Sequence, residues 1–223
     1  MAGAVAKRRK LSNPLALTVM LLAERSMHPY EIAQTLRRRG KQHSVKINFG
    51  SLYTVVQNLE KHGYVEVTGV QRQGNRPERT LYGITEAGRA EMLDWLSDLI
   101  AVPAAEFPVF DTALSLLPVL PPDEVAELLS DREQALAVQS AALRGVLGRL
   151  GDALPRVFVV ETEYQVHMIE AQLAWIRGFR KELGDATISG IEEWKSFHET
   201  GEVPQGWQDL DEQEIVLDPE RTR

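Results

Sequence analysis

The hydrophobic period of this chain changes along its length, and the order of those changes restricts the fold more than any other feature. From Asn13 to about Arg25, Leu15, Val19 and Leu22 recur at helical spacing, which predicts a helix with one buried face. Ser12 or Asn13 is its N-cap and Pro14 its first helical residue. After a break at Ser26 to Pro29, Tyr30 to Arg39 forms a second short helix with Ile32, Ala33 and Leu36 inward. A third runs from Gly50 to His62 and stops at Gly63; turned by about 100° per residue, it gathers Leu52, Val55, Val56 and Leu59 on one side. The composition then becomes that of strands. Tyr64 to Val70 and Arg79 to Ile84 are rich in β-branched and aromatic residues, and the Gly74-Asn75 and Pro77 turn formers between them predict a hairpin with a long basic tip. Thr85 caps a fourth helix, Glu86 to about Ile100, whose apolar face holds Met92, Trp95, Leu96 and Leu99.

Three short helices, a hairpin and a fourth helix describe a winged helix-turn-helix, expected over residues 13–102 behind a basic arm, 1–12. The Pro-rich stretch 103–122 reads as a connection around a short apolar segment, Phe110 to Leu117. A long helix follows from Asp123 to about Leu150. A step of 3.5 residues samples Val125, Leu129, Arg132, Leu136, Gln139, Leu143, Val146 and Leu150, mostly apolar, as the seam of a helix packed on a helix requires. A second long helix, about Val157 to Leu183, carries Tyr164, Met168, Ala171 and Trp175 on one stripe, widened by Ile169, Leu173 and Ile176. These stripes make 123–184 a helical dimerisation domain, with Val125, Leu129, Leu136, Leu143, Val146, Met168 and Trp175 as its interface and an obligate homodimer as the product. The acidic remainder, 185–223, is expected to be irregular and partly disordered. The fold class is therefore mainly α with a small β-hairpin: an N-terminal winged helix-turn-helix plus a C-terminal long-helix dimerisation domain.

Charge is segregated along the chain. The net charge is −7, yet residues 1–95 hold 15 Lys and Arg against 8 Asp and Glu, while the remainder holds 10 against 24. A basic module joined to an acidic one fits a polyanion-binding half on a non-binding partner. There is no cysteine, which excludes disulfides, thiolate zinc sites and cysteine nucleophiles and fits a reducing cytoplasm. Lys7 to Lys10 before the apolar run Leu15 to Ala23 imitates a signal peptide, but the run ends in Glu24-Arg25 with no small-x-small site. No apolar run approaches the ~20 residues needed to span a bilayer, so no membrane partner is expected. Nucleotide-binding, hydrolase and metalloprotease motifs are missing, so neither an enzyme nor a cofactor is expected.

The expected partner is double-stranded DNA. A third helix of this module can enter a major groove about 12 Å wide. On its outer face lie Thr54, Gln57 and Lys61, flanked by Tyr53 and Asn58, a set rich in hydrogen-bonding groups rather than in the Glu/Lys pairs of a merely solvated face. Arg72, Arg76 and Arg79 place cations on the wing for phosphates or a narrow minor groove, while helix N-termini can offer amides to phosphate. Glu163, His167 and Glu170 share one helix shoulder at a spacing able to hold a divalent metal, but a surface charge cluster is the better reading. Trp95, Trp175, Trp194 and Trp207 can line an effector pocket, though core or interface packing suits Trp95 and Trp175 better.

At this point the chain resembles the PadR family of bacterial transcriptional regulators. His28-Pro29-Tyr30-Glu31-Ile32 is similar to the family's second-helix start. Phe49-Gly50-Ser51-Leu52-Tyr53 with Leu59-Glu60-Lys61-His62-Gly63-Tyr64 resembles its recognition helix, and Asn75-Arg76-Pro77 with Leu81 to Gly88 its wing. These segments add Tyr30 and Ser51 to the expected DNA-facing residues. Asn75 stands where the family has glycine, and Gly83 where it often has arginine, which removes a phosphate contact there. The C-terminal half resembles the longer subfamily, which dimerises through long helices. The resemblance implies a homodimeric repressor on an inverted-repeat operator, commonly autoregulatory and sometimes relieved by a small aromatic effector. The alternative is a winged-helix adaptor that binds a protein partner instead of DNA.

Overall fold

The computed structural model describes residues 13–39, 49–72, 78–103, 105–151 and 153–208. The basic arm and residues 209–223 of the acidic tail lie outside them. The chain divides into two compact units, Met1–Glu106 and Phe107–Arg223.

In the first unit, α1 (Leu15–Leu22), α2 (Pro29–Arg38) and α3 (Phe49–Lys61) precede a two-stranded antiparallel sheet, β1 (Val65–Gln71) and β2 (Arg79–Ile84), followed by α4 (Glu86–Ala101). The side chain of Asn13 accepts from the Leu15 N–H at 3.0 Å and so opens α1. Leu15, Met20, Ile32, Leu52 and Leu59 are almost wholly buried in one core closed by Val65, Met92 and Trp95. Each such side chain contributes about 1.5–3 kcal/mol of burial free energy. Gly63, at φ 72°, takes the left-handed conformation that stops α3 and turns the chain into β1. β2 is paired on both edges: with β1 in the register Val65↔Ile84 to Gln71↔Arg79, and with Met27, which exchanges two 3.0 Å backbone hydrogen bonds with Tyr82. The wing is thus anchored to the segment between α1 and α2. One expectation fails in α4. Leu96 and Leu99 are exposed, because its core-facing stripe is only Gly88, Met92 and Trp95.

The second unit pairs α6 (Pro122–Leu150) with α7 (Val160–Gly184). Glu133 meets Arg177 and Arg180, whereas Ser140 and Arg144 meet Glu170, so the two helices run antiparallel. The stretch read as a connection is structured from Val109: α5 (Val109–Ser115) and a 3-10 turn, Leu117–Val119, bring Phe110, Leu117 and Leu120 onto the core of this unit. Pro121 and Pro122 supply the N-cap and first residue of α6, where a missing N–H costs nothing.

The seam expected to hold the dimer is consumed inside the chain. Val125 and Leu129 are 3% and 4% exposed and pack with Ile176, Leu183, Ile191 and Trp194, and Leu136 packs against the same cluster. The buried side of α7 is Val166, Leu173, Ile176 and Leu183, leaving Tyr164, Met168 and Trp175 outside. Leu143 and Val146 are half-buried. The segment after Gly184 also differs from expectation. α8 (Ile191–Thr200) inserts Ile191 and Trp194 into the core, and the Trp194 Nε1–H donates to the Leu120 carbonyl at 2.8 Å; a short α9 (Gln205–Gln208) follows. Ile191, Trp194 and Phe197 do stand at helical spacing, but the acidic residues among them disguise it. Among the described residues no helix is long and apolar enough to cross a membrane.

Candidate nucleic-acid interface

α3 is two-faced. Leu52, Val55, Val56 and Leu59 are buried, and Tyr53, Thr54, Gln57, Asn58 and Lys61 are exposed. Ser51 is half-buried at the margin. The amides of Gln57 and Asn58 each offer a donor and an acceptor to a base edge. Thr54 is more restricted, since its hydroxyl donates to the Gly50 carbonyl at 3.1 Å and leaves its lone pairs and methyl outward. Lys61, in the last turn, also complements the helix dipole.

The start of α2 lies beside this face. The Glu31 carboxylate accepts from the His28 N–H at 3.2 Å, and His28 Nδ1 accepts from the Tyr30 N–H at 3.1 Å. Pro29 has no N–H, and the amides of Glu31 and Ile32 donate to the His28 carbonyl. This N-terminus therefore has no amide left for a phosphate, contrary to the expectation for helix starts in this module. The Nδ1 bond fixes the tautomer with the proton on Nε2. The His28 ring meets the Tyr53 ring edge-on, with centroids 6.4 Å apart. Both rings line an open cleft of about 530 Å³ with Tyr30, Glu31, Gln34 and Arg79. Burial pushes the His28 pKa below its ordinary value, the Arg79 guanidinium lowers it further, and Glu31 opposes both. Arg79 and Tyr30, named from sequence, thus meet Tyr53 at one cleft. Arg72 is exposed just after β1, and Arg76 lies outside the described residues.

Residues 18–94 match the sequence model of the Transcriptional regulator PadR-like family. Over that stretch the chain is similar to this family. No curated protein sequence matches it. Three solved structures share its architecture: Bacillus subtilis PadR in complex with operator DNA (TM-score 0.63, 16% identity, covering 76% of this chain and 98% of that one), the same protein in complex with p-coumaric acid (0.62, 15%, 76% and 98%), and the Vibrio cholerae virulence activator AphA (0.57, 16%, 77% and 99%). At these identities the likeness is one of fold.

The PadR-like motifs acquire physical roles here. The Thr85 hydroxyl accepts from the Gly88 N–H at 3.0 Å and donates to the Gly63 carbonyl at 2.6 Å, tying the end of α3, the wing and the start of α4 into one knot. Gly88 is required by closeness, since a Cβ there would sit 2.0 Å from the Tyr64 carbonyl oxygen. Sequence reasoning assigned no role to Gly88 or to the His28 ring, although a Thr-x-x-Gly step at a helix start and a residue before Pro29 were both visible. Gly83 also takes a different meaning. It is buried, and a Cβ would approach Thr68 Cγ2 to 2.7 Å and Ser26 Oγ to 3.3 Å, so the position faces the protein. The expected metal-capable trio is dispersed: Glu163 pairs with Arg156 and Glu170 with Arg144. Among the described residues no three metal-ligating side chains converge.

Proposed function

We propose that this PadR-like protein is a sequence-specific DNA-binding repressor that acts as a homodimer on an inverted-repeat operator in the cytoplasm, a regulator rather than an enzyme. The observation that carries this is the division of α3: four apolar residues hold one face in the core and present Tyr53, Thr54, Gln57, Asn58 and Lys61 as a continuous polar surface beside the wing. Such a helix suits a major groove, where an amide pairs with adenine and a lysine with guanine. The crystallised complex of Bacillus subtilis PadR with operator DNA supports the same use of this fold.

Dimerisation is carried by the outer stripe of α7. Met168 and Trp175 are 48% and 45% exposed, and Tyr164 extends the stripe, while Val138 is exposed on α6. Apolar helical surface of this kind is suited to cover by a second copy, and a two-fold dimer imposes inverted half-sites. Relief by a small aromatic effector is supported by the p-coumaric acid complex of the Bacillus subtilis protein. Selecting bound sequences from a random duplex pool is the test. An enriched inverted repeat is expected, and a pool that stays random after repeated selection removes the reading.

A further inference from the structure

Arg25, in the turn after α1, and Arg38, in the last turn of α2, open onto a common trough with the wing. A concavity of about 440 Å³ is lined by Arg25, Ser26, Thr35, Arg38, Gln71 and Leu81, among others. Glu31 and Gln34 line both this concavity and the cleft at His28, Tyr53 and Arg79. Two adjoining concavities that share Glu31 and Gln34 as a common wall thus make a trough-like surface along the outer side of α2, bordered by the wing residues Gln71, Arg79 and Leu81. Its lining is mainly polar, which suits charged oxygens better than an apolar ring. Among the described residues that line it, three arginines face one carboxylate, Glu31, which already accepts from the His28 N–H. Arg38 is held in place, since its Nη2 donates to the Thr35 hydroxyl at 3.2 Å and Thr35 is buried. An open, cationic trough ending at the polar face of α3 is shaped for a continuous polyanion rather than for an enclosed small ligand.

We infer that this trough seats the sugar–phosphate backbone of the duplex whose bases α3 reads, with Arg25 and Arg38 as phosphate-binding residues. The inference rests on the DNA-binding reading above. Neither arginine was expected at the interface from sequence, and α2 itself has no free amide to offer in their place. A structural role would be different in kind: Arg38 can simply complement the α2 dipole.

Titrations of Arg25→Ala, Arg38→Ala and Arg38→Lys in the full chain, on a selected operator and a random duplex across a salt series, decide the matter. Each alanine variant is expected to weaken both duplexes by a similar factor. Its log K against log salt should become shallower by about 0.9, so that between about 50 and 200 mM salt the wild type loses about threefold more affinity than the variant. Arg38→Lys should keep the wild-type slope, and thermal midpoints should be unchanged. If wild type binds steeply with salt but both alanine variants keep its slope, the trough does not hold phosphates while α3 still reads DNA. If wild type binds no duplex at either end of the series, the DNA-binding reading fails and takes the trough with it. Inorganic phosphate replacing chloride at constant ionic strength should not displace the duplex. Displacement seen in wild type and lost in the double alanine variant would reassign the trough to free phosphate.

Discussion

Gln57→Ala separates base reading from every other contribution of α3. Gln57 is exposed between Val56 and Leu59, which are 2% and 0% exposed, so truncation removes an amide without opening the core. The stability change should stay within about 0.5 kcal/mol, as for surface positions generally. A bidentate amide–adenine pair discriminates by about 1–3 kcal/mol, which corresponds to roughly 5–150-fold in Kd at 25 °C. The loss should appear on the operator and be nearly absent on random duplex, with the salt slope unchanged because no phosphate contact is lost. Fluorescence anisotropy on both duplexes at two salt concentrations measures all of these at once. Arg79→Ala is the internal contrast, because a backbone contact weakens both duplexes and flattens the slope. Equal weakening of the two duplexes by Gln57→Ala, or no weakening of either, would refute the assignment of the recognition face.

Other predictions address the supports of the interface and the dimer. Thr85→Val removes the cap on Gly88 and the hydrogen bond to Gly63, so thermal unfolding should show a loss of about 1–3 kcal/mol. Gly88→Ala, which forces a Cβ against the Tyr64 carbonyl, should cost at least as much and weaken operator binding in the same titration. The folded-state pKa of His28 is depressed, so the unfolded chain binds more protons as pH falls from about 6.5; stability is retained above that pH and lost on acidification, a dependence that thermal scans should find reduced in His28→Asn. Met168→Asp with Tyr164→Asp should shift sedimentation toward monomer at micromolar concentration and weaken operator binding without unfolding the chain, because both side chains are exposed on α7.

Much of the DNA-binding unit was legible in the sequence because its signals are local. Helical period sorts Leu52, Val56 and Leu59 from Thr54, Gln57 and Lys61 whatever lies beyond them, and Gly63 and Thr85 mark boundaries through their own backbone preferences. Tertiary structure decided what covers each apolar stripe. Periodicity shows that Val125, Leu129, Met168 and Trp175 form apolar faces, but it cannot say that the first two are covered by α7 and α8 of the same chain while the last two are left outside. That choice depends on long-range packing, including a helix after Gly184 whose apolar residues are few and flanked by acids. Leu96 and Leu99 follow the same rule, since a sound apolar pattern in α4 has no covering element among the described residues of its own unit. The need for glycine at 88, the pairing of His28 with Tyr53 and the meeting of Arg25 and Arg38 with Gln71 and Leu81 of the wing at one concavity arise from residues distant in sequence. A one-dimensional pattern records what a side chain prefers; only the closed chain fixes what it touches.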